Sequence, residues 1–204
     1  AYFDDTNMMD IRLLSAFGFS DEDVEAIGDI PGVKGLMAGH TADVLSVIEE
    51  KEQAIRVHSL PEDMSQDNEN YINRPVLVEG RFPEKSGECV IGRNKTQSGV
   101  KVGDTITISG EDWEDSFKCR TFEVVGMVDS SYYISFSLGS TSIGTGTLNL
   151  YMYILDTDFN QEAVTDLYLT VDGASEESTF SGTYEEKVQA VKDALKPLGE
   201  ERDD

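Results

Sequence analysis

Glu79-Gly80-Arg81-Phe82-Pro83, Glu88-Cys89-Val90-Ile91-Gly92, Val102-Gly103-Asp104 and Phe122-Glu123-Val124-Val125-Gly126-Met127-Val128 decide the fold of this chain. Each sets a short apolar run beside a glycine, and none shows the three-to-four-residue recurrence of an amphipathic helix. Gly80, Gly92, Gly103 and Gly126 end or break strands where a positive φ or a close backbone approach is needed. Arg81 is placed to bond loop carbonyls or an acid, and Asp104 suits a turn closed by its own carboxylate. These features are architectural and call for no catalysis.

Outward from that block, most of the chain alternates apolar and polar residues with period two, as strands with one wet face do. Strands are predicted at 11–13, 33–39, 44–49, 54–59, 76–79, 89–91, 104–109, 122–128, 132–138, 148–155 and 166–171. Two helices are marked by their ends. Ser20-Asp21-Glu22-Asp23 offers an N-cap and first-turn acids ahead of Val24, Ile27 and Ile30, and Pro31-Gly32 stops the helix. Thr183-Tyr184-Glu185-Glu186 reads as a capping box ahead of Val188, Val191 and Leu195, with Pro197 and Gly199 weakening the far end. The polar stretch from Pro61 to Asn73 reads as a loop or linker with too little apolar surface to bury itself. The expectation is an α+β chain of two lobes. Residues 1–75 and 156–204 build an α/β lobe from both chain ends, and residues 76–155 form an inserted β-rich lobe.

Composition narrows the function. Among 204 residues there are 40 acids against 16 Lys and Arg, a net charge of -24, with 39% apolar residues and 18 glycines. A core is available, so the charge does not mean wholesale disorder. Nucleic acid is a poor partner, because phosphate binding rests on Lys and Arg, and the same sign disfavours anionic lipid surfaces. No apolar run of about 20 residues is present to span a bilayer. Ala1-Tyr2-Phe3-Asp4-Asp5 and Glu200-Glu201-Arg202-Asp203-Asp204 both read like the interior of a longer protein, so a soluble piece of such a protein is expected.

Candidate chemical motifs fail one by one. In the stretch Gly139 to Gly146 a phosphate loop would need Lys where Thr145 stands, and a dinucleotide fingerprint would need a third glycine where Asn149 stands. Asp156, Asp158 and Asn160 match positions 1, 3 and 5 of a calcium loop, but Gln161 and Leu167 replace its Gly and bidentate Glu. His40 is read in a turn and His58 as a solvent-facing strand residue, with no acid or thiol beside either in sequence. Cys89 and Cys119 lack zinc or redox spacing, and read as small apolar residues or as a disulfide pair. Asn94-Lys95-Thr96 is a sequon that counts only in a secretory pathway. Trp113, among four acids, reads as a hairpin turn or a tip contact. No catalytic residue, metal ligand or cofactor site is assigned.

The four ordered pieces resemble the extracytoplasmic core domain of MacB/FtsX-family ABC transporter permeases. The pattern there is an EGR-x-P turn, an E-x-V-I-G strand, a G-D turn and an F-x-V-V-G strand, carried here by Glu79, Gly80, Arg81, Pro83, Glu88, Gly92, Gly103, Asp104 and Gly126. Asp10-Ile11 and Ile30-Pro31-Gly32-Val33 are similar to that family's opening, and Tyr133-Ile134-Ser135 with the Gly/Ser/Thr loop to its large Gram-positive members. The resemblance implies a domain outside the cytoplasmic membrane, between transmembrane helices of its own full-length chain, with the α/β lobe nearer the membrane. It implies a cytoplasmic ABC ATPase subunit acting indirectly, a possible second permease copy, and an extracellular peptide, lipid or lipoprotein as partner. The alternative is a secreted or surface-anchored adhesion module that uses Tyr132, Tyr133, Phe136, Tyr151 and Tyr153 as contacts.

Overall fold

A computed structural model describes residues 6–93, 99–130, 141–161, 163–173 and 182–200. Along the chain run β1 (Ile11–Phe19), α1 (Asp21–Gly28), β2 (Val33–Gly39), β3 (Thr41–Ile48), β4 (Lys51–Leu60), β5 (Val76–Gly80), β6 (Glu88–Gly92), β7 (Thr105–Thr107), β8 (Thr121–Asp129), β9 (Leu150–Leu155), β10 (Val164–Val171) and α2 (Gly182–Glu200). This is an α+β chain in which strands dominate. It divides into two compact units, one of Ala1–Ala38, Asp63–Arg74 and Ala163–Asp204, the other of Gly39–Glu62 and Pro75–Glu162.

In the first unit β10 lies between β1 and β2 in a three-stranded sheet. Leu167, Leu169 and Val171 of β10 join Ile11, Ile27, Val188 and Val191 in a buried core, so both helices cover one face of the sheet. The alternate residues Asp166, Tyr168 and Thr170 are buried as well. Asp166 is matched there by Arg12, whose Nη2 donates to its carboxylate at 2.8 Å while the guanidinium lies over the Tyr168 ring. Asp10 ties three elements together, since its carboxylate accepts from the Val171 N–H at 2.7 Å and from the Tyr184 hydroxyl at 3.0 Å.

The start of α1 follows the sequence reading, and the other helix ends differ from it. The Ser20 hydroxyl accepts from the Asp23 N–H and the Asp23 carboxylate from the Ser20 N–H, a complete capping box. Helix α1 stops at Gly28, ahead of Ile30, because the residue before Pro31 is pushed out of helical geometry. Helix α2 begins at Gly182, so Thr183 lies within it and is not its cap, and it runs through Pro197. A proline in the last turns removes a single backbone bond, while buried Val188 and Val191 hold the helix on the sheet.

The stretch 61–73 is also more than a linker. Tyr71, Ile72 and Asn73 are buried. Arg74, itself buried, donates to the carbonyls of Tyr71 and Asn68 at 2.7 and 2.8 Å and stacks its guanidinium on the Tyr71 ring. Asn7 and Asn73 complete the attachment through bonds to Tyr71 O and Met9 N. The segment gains its core from one arginine and one tyrosine at its end, which a composition average hides.

The second unit is a seven-stranded sheet in the order β3-β4-β9-β6-β8-β5, with β7 also on β8. Strand β8 carries β7 along its first residues and β5 along its last, both antiparallel. At the far edge β3 returns to meet this end through a bridge between Ser46 and Ile108, the Ser109 N–H donating to Leu45 O at 2.8 Å. The sheet thereby closes around an interior filled by Ile55, Val57, Ile91, Ile106, Phe122, Val124, Leu150, Met152 and Ile154 among others. Strands β3 and β4, assigned above to the α/β lobe with the rest of residues 1–75, belong to this sheet, because β4 pairs in parallel with β9 over Ile55–Leu60 and Leu150–Leu155. Parallel pairing across a hundred residues leaves no local trace.

The β3–β4 hairpin is closed by Glu49 and Glu50, with φ of 51° and 63° and Ile48 paired with Lys51. A two-residue turn with both centres left-handed strongly prefers Asn-Gly, and a side chain in that region costs about 1 kcal/mol or more. The double substitution Glu49→Asn/Glu50→Gly is therefore expected to stabilise the chain by about 1–2 kcal/mol, read as a raised urea midpoint with an unchanged slope.

Candidate functional site

The four sequence pieces meet on β8. Cys89 of β6 pairs with Val124 and Val90 with Gly126, so Val125 is the extra residue of a bulge. Its carbonyl accepts the Arg81 N–H at 3.0 Å. One residue earlier, Val124 accepts from the Gly103 N–H at 2.9 Å and donates to Asp104 O at 2.8 Å. The Asp104 carboxylate in turn accepts the Lys101 N–H at 3.0 Å, closing the turn that Gly103 enters with φ of 97°.

Glycine is required at the crossing of β5 and β8, where Gly80 faces Gly126. A Cβ on Gly80, whose φ is 73°, would stand 2.2 Å from Val125 O, and one on Gly126 would stand 2.3 Å from Arg81 O. Those neighbours are backbone and cannot yield. Gly92 is covered from the adjacent strand by the Tyr151 ring, 2.2 Å from where its Cβ would lie. An aromatic ring laid over a strand glycine fixes register as well as filling space.

Arg81 and Glu88 lock the loop between β5 and β6. Glu88 is 2% exposed, and its two carboxylate oxygens receive the Arg81 guanidinium as a fork, with Nη1 at 2.9 Å from Oε1. Oε1 also accepts the backbone N–H groups of Glu84 and Lys85. The guanidinium, followed by the Glu84 N–H, holds this carboxyl down from 4.5 to about 2, against the opposing effect of burial. Arg81 further donates to Phe82 O, and Pro83 is buried in the same loop. The loop's next residues turn to a second buried carboxylate, Asp158, 2% exposed, which accepts from the Ser86 hydroxyl and from the Gly87 N–H at 3.0 Å. Ser86 and Asp158 are too far apart in sequence for any local signal to couple them.

Asp156, Asp158 and Asn160 thus serve structure. Asp156–Asp158 form a single 3-10 turn, and Asn160 donates to Glu114 O at 2.7 Å. No group of acids, histidines and cysteines among the described residues has the geometry to hold a metal ion.

His58, read as solvent-facing, is buried at 6% exposure and stacked on Tyr153 at 5.2 Å. Alternation alone assigns it the outer face of β4, and that face is covered here. His40 acquires an acid from across the sequence: its Nδ1 lies 2.9 Å from Asp156 Oδ1, and its ring stacks on Phe159 at 5.3 Å. Cys89 and Cys119 are both free. Burial pushes both thiols up, which makes them poor nucleophiles. Trp113 sits in a 3-10 turn, Trp113–Asp115, within the connection between the antiparallel pair β7 and β8, with its indole against the barrel core. Tyr151 and Tyr153 are 5% and 6% exposed, so they offer no contact surface. Tyr132, Tyr133, Phe136, the strand expected at 132–138, the sequon at Asn94 and the first residues of the Gly/Ser/Thr stretch lie outside the described residues.

The family model for the MacB-like periplasmic core domain matches residues 2–195. The chain belongs to this family. It is accordingly an extracytoplasmic domain of a MacB-like ABC transporter permease, from a family of transporter domains, not of catalysts. No curated protein matches the chain. Among solved structures it is similar to the extracellular domain of the noncanonic ABC-type transporter YknZ from Gram-positive bacteria, at 15% identity and a TM-score of 0.47, covering 79% of this chain and 78% of that one. It is also similar to the periplasmic region of MacB from Actinobacillus actinomycetemcomitans, at 12% identity and a TM-score of 0.45, covering 93% of this chain and 76% of that one. No helix among the described residues is long and apolar enough to cross a membrane.

Two outcomes test this arrangement. Gly92→Ala is expected to cost more than ~2 kcal/mol. In the background of Tyr151→Ala the same change is expected to cost little, so a double-mutant cycle by urea unfolding reads a strong coupling. Because the folded Glu88 carboxyl lies below its ordinary value, its contribution is complete above pH 4.5 and is lost as pH falls to about 2. Glu88→Gln is expected to be less stable than the parent at neutral pH, with the two urea midpoints converging across that window.

Proposed function

We propose that this domain couples ATP-driven motion of the permease's membrane helices to the recognition or release of an extracellular substrate or partner. The observation that carries the reading is a match to an extracytoplasmic permease domain over almost the whole chain. A physical property supports it: a domain that transmits force must be stiff. The closed barrel with its apolar filling, clamped by backbone bonds at β8 and by the Arg81–Glu88 fork, has that stiffness.

Within that role ATP is hydrolysed by a cytoplasmic ABC ATPase subunit, and the transmembrane helices of the full-length chain carry its motion to this domain. A second permease copy supplies the other half of the translocation unit. The acidic surface is compatible with a translocated domain, since positive charge is biased to the cytoplasmic side. The likeness of the Tyr133 region to large Gram-positive members supports an outward-facing position on a Gram-positive cell membrane. The arrangement of Glu79, Gly80, Arg81, Pro83, Glu88, Gly92, Gly103, Asp104 and Gly126 keeps the barrel a single lever arm.

The full-length permease, reconstituted with its ATPase, tests the reading. Replacing residues 11–171 by a flexible Gly/Ser linker is expected to leave basal ATP hydrolysis in place and to abolish export or partner release. Transport at an unchanged rate without the domain would overturn it.

A further inference from the structure

Strand β5 stands out from the barrel. Its one neighbour is β8, and its other edge meets no strand among the described residues. Val76, Leu77 and Val78 are 37%, 37% and 42% exposed, three consecutive apolar side chains on a strand whose every residue is exposed. Soluble proteins blunt such edges with lysines or inward charges, because a free row of N–H and C=O groups recruits another strand. Here the protection consists of Pro75, which precedes the strand, a register shift between Leu77 and Glu79, and the exposed charge of Glu79 itself. These discourage indiscriminate stacking and leave a short ladder open.

The charges around this edge select its occupant. Arg93 is held by Asp129, the register partner of Val76, and Arg81 is held by the buried Glu88. Glu79, within the strand, is exposed and makes no ion pair among the described residues, and Glu84 is 77% exposed at 3.7 Å from the already engaged Arg81. With exposed Lys85 and Glu123 counted as well, the local balance is negative on a chain of net charge -24, so a second copy of the same chain would be repelled. We propose that β5 is a docking edge for an extended segment of a partner polypeptide with alternating apolar and basic residues, which adds a strand to β5 and places its cations on Glu79 and Glu84.

This inference rests on the recognition role proposed above and names the class of partner. It is tested on the 204-residue chain with a capped hexapeptide of alternating lysine and valine, a glutamate-valine counterpart and a lysine-valine version interrupted by proline. The lysine peptide is expected to slow amide hydrogen exchange over Val76–Val78. Its binding is expected to weaken about tenfold or more between ~0.05 and ~0.5 M salt, and equally on Leu77→Lys/Val78→Lys, with the melting temperature unchanged. The proline-interrupted peptide is expected to give no protection, a control that needs no variant to fold. Protection elsewhere or nowhere would overturn the proposal, as would equal binding of the glutamate peptide. So would protection of β5 that grows with protein concentration alone, which would assign the edge to a second copy. Failure here leaves the linker-replacement result untouched, so the two readings fail separately.

Discussion

Backbone meets backbone without a side chain between where Gly80 crosses Gly126, and the second unit is organised around that approach. The contact is possible because neither residue has a Cβ. It sets the carbonyl of the bulged Val125 to receive the Arg81 N–H, and one residue earlier Val124 exchanges two bonds with the Gly103-Asp104 turn. A strand that bonds β6 on one side, and β7 and then β5 on the other, must be uniform in neither twist nor pairing. The bulge supplies the change of direction. Side chains then fill the barrel that this backbone arrangement encloses.

Charge is used differently at the two ends of the β5–β6 loop. Glu88 and Asp158 are buried carboxylates, and such groups are tolerated only when their lone pairs are occupied. Glu88 has a guanidinium fork and two backbone N–H groups; Asp158 has a hydroxyl and one backbone N–H. The loop that joins β5 to β6 is thereby fastened at both ends by anions, while most of the chain's other acids stay in water. The net charge of -24 thus describes the surface, and a few interior acids do structural work of a separate kind.

Where the sequence was readable, the reason was local. The strand glycines, the turn closed by the Asp104 carboxylate and the Ser20 N-cap each depend on neighbours a few residues away. Readings that averaged or alternated went astray. His58 alternates correctly onto the outer face of β4, but that face is covered. The polar stretch 61–73 is acidic on average, yet Arg74 and Tyr71 anchor its end. Pro197 sits inside α2 because tertiary packing outweighs the loss of a backbone bond.

By itself the sequence determined the alternation of strands, the two helices, the positions that only glycine can occupy, and a motif order specific enough to indicate the family. These follow from dihedral limits and hydrophobic periodicity, which act within a few residues. Tertiary structure alone decided that β3 and β4 join β9 in the barrel, that Asp156 meets His40, that Asp158 holds Ser86 and Gly87, and that β5 pairs with β8 alone among the described strands. Each of these is a pairing across tens to a hundred residues of chain. Its free energy is gained only after the intervening loops have closed, so nothing in the local pattern records it.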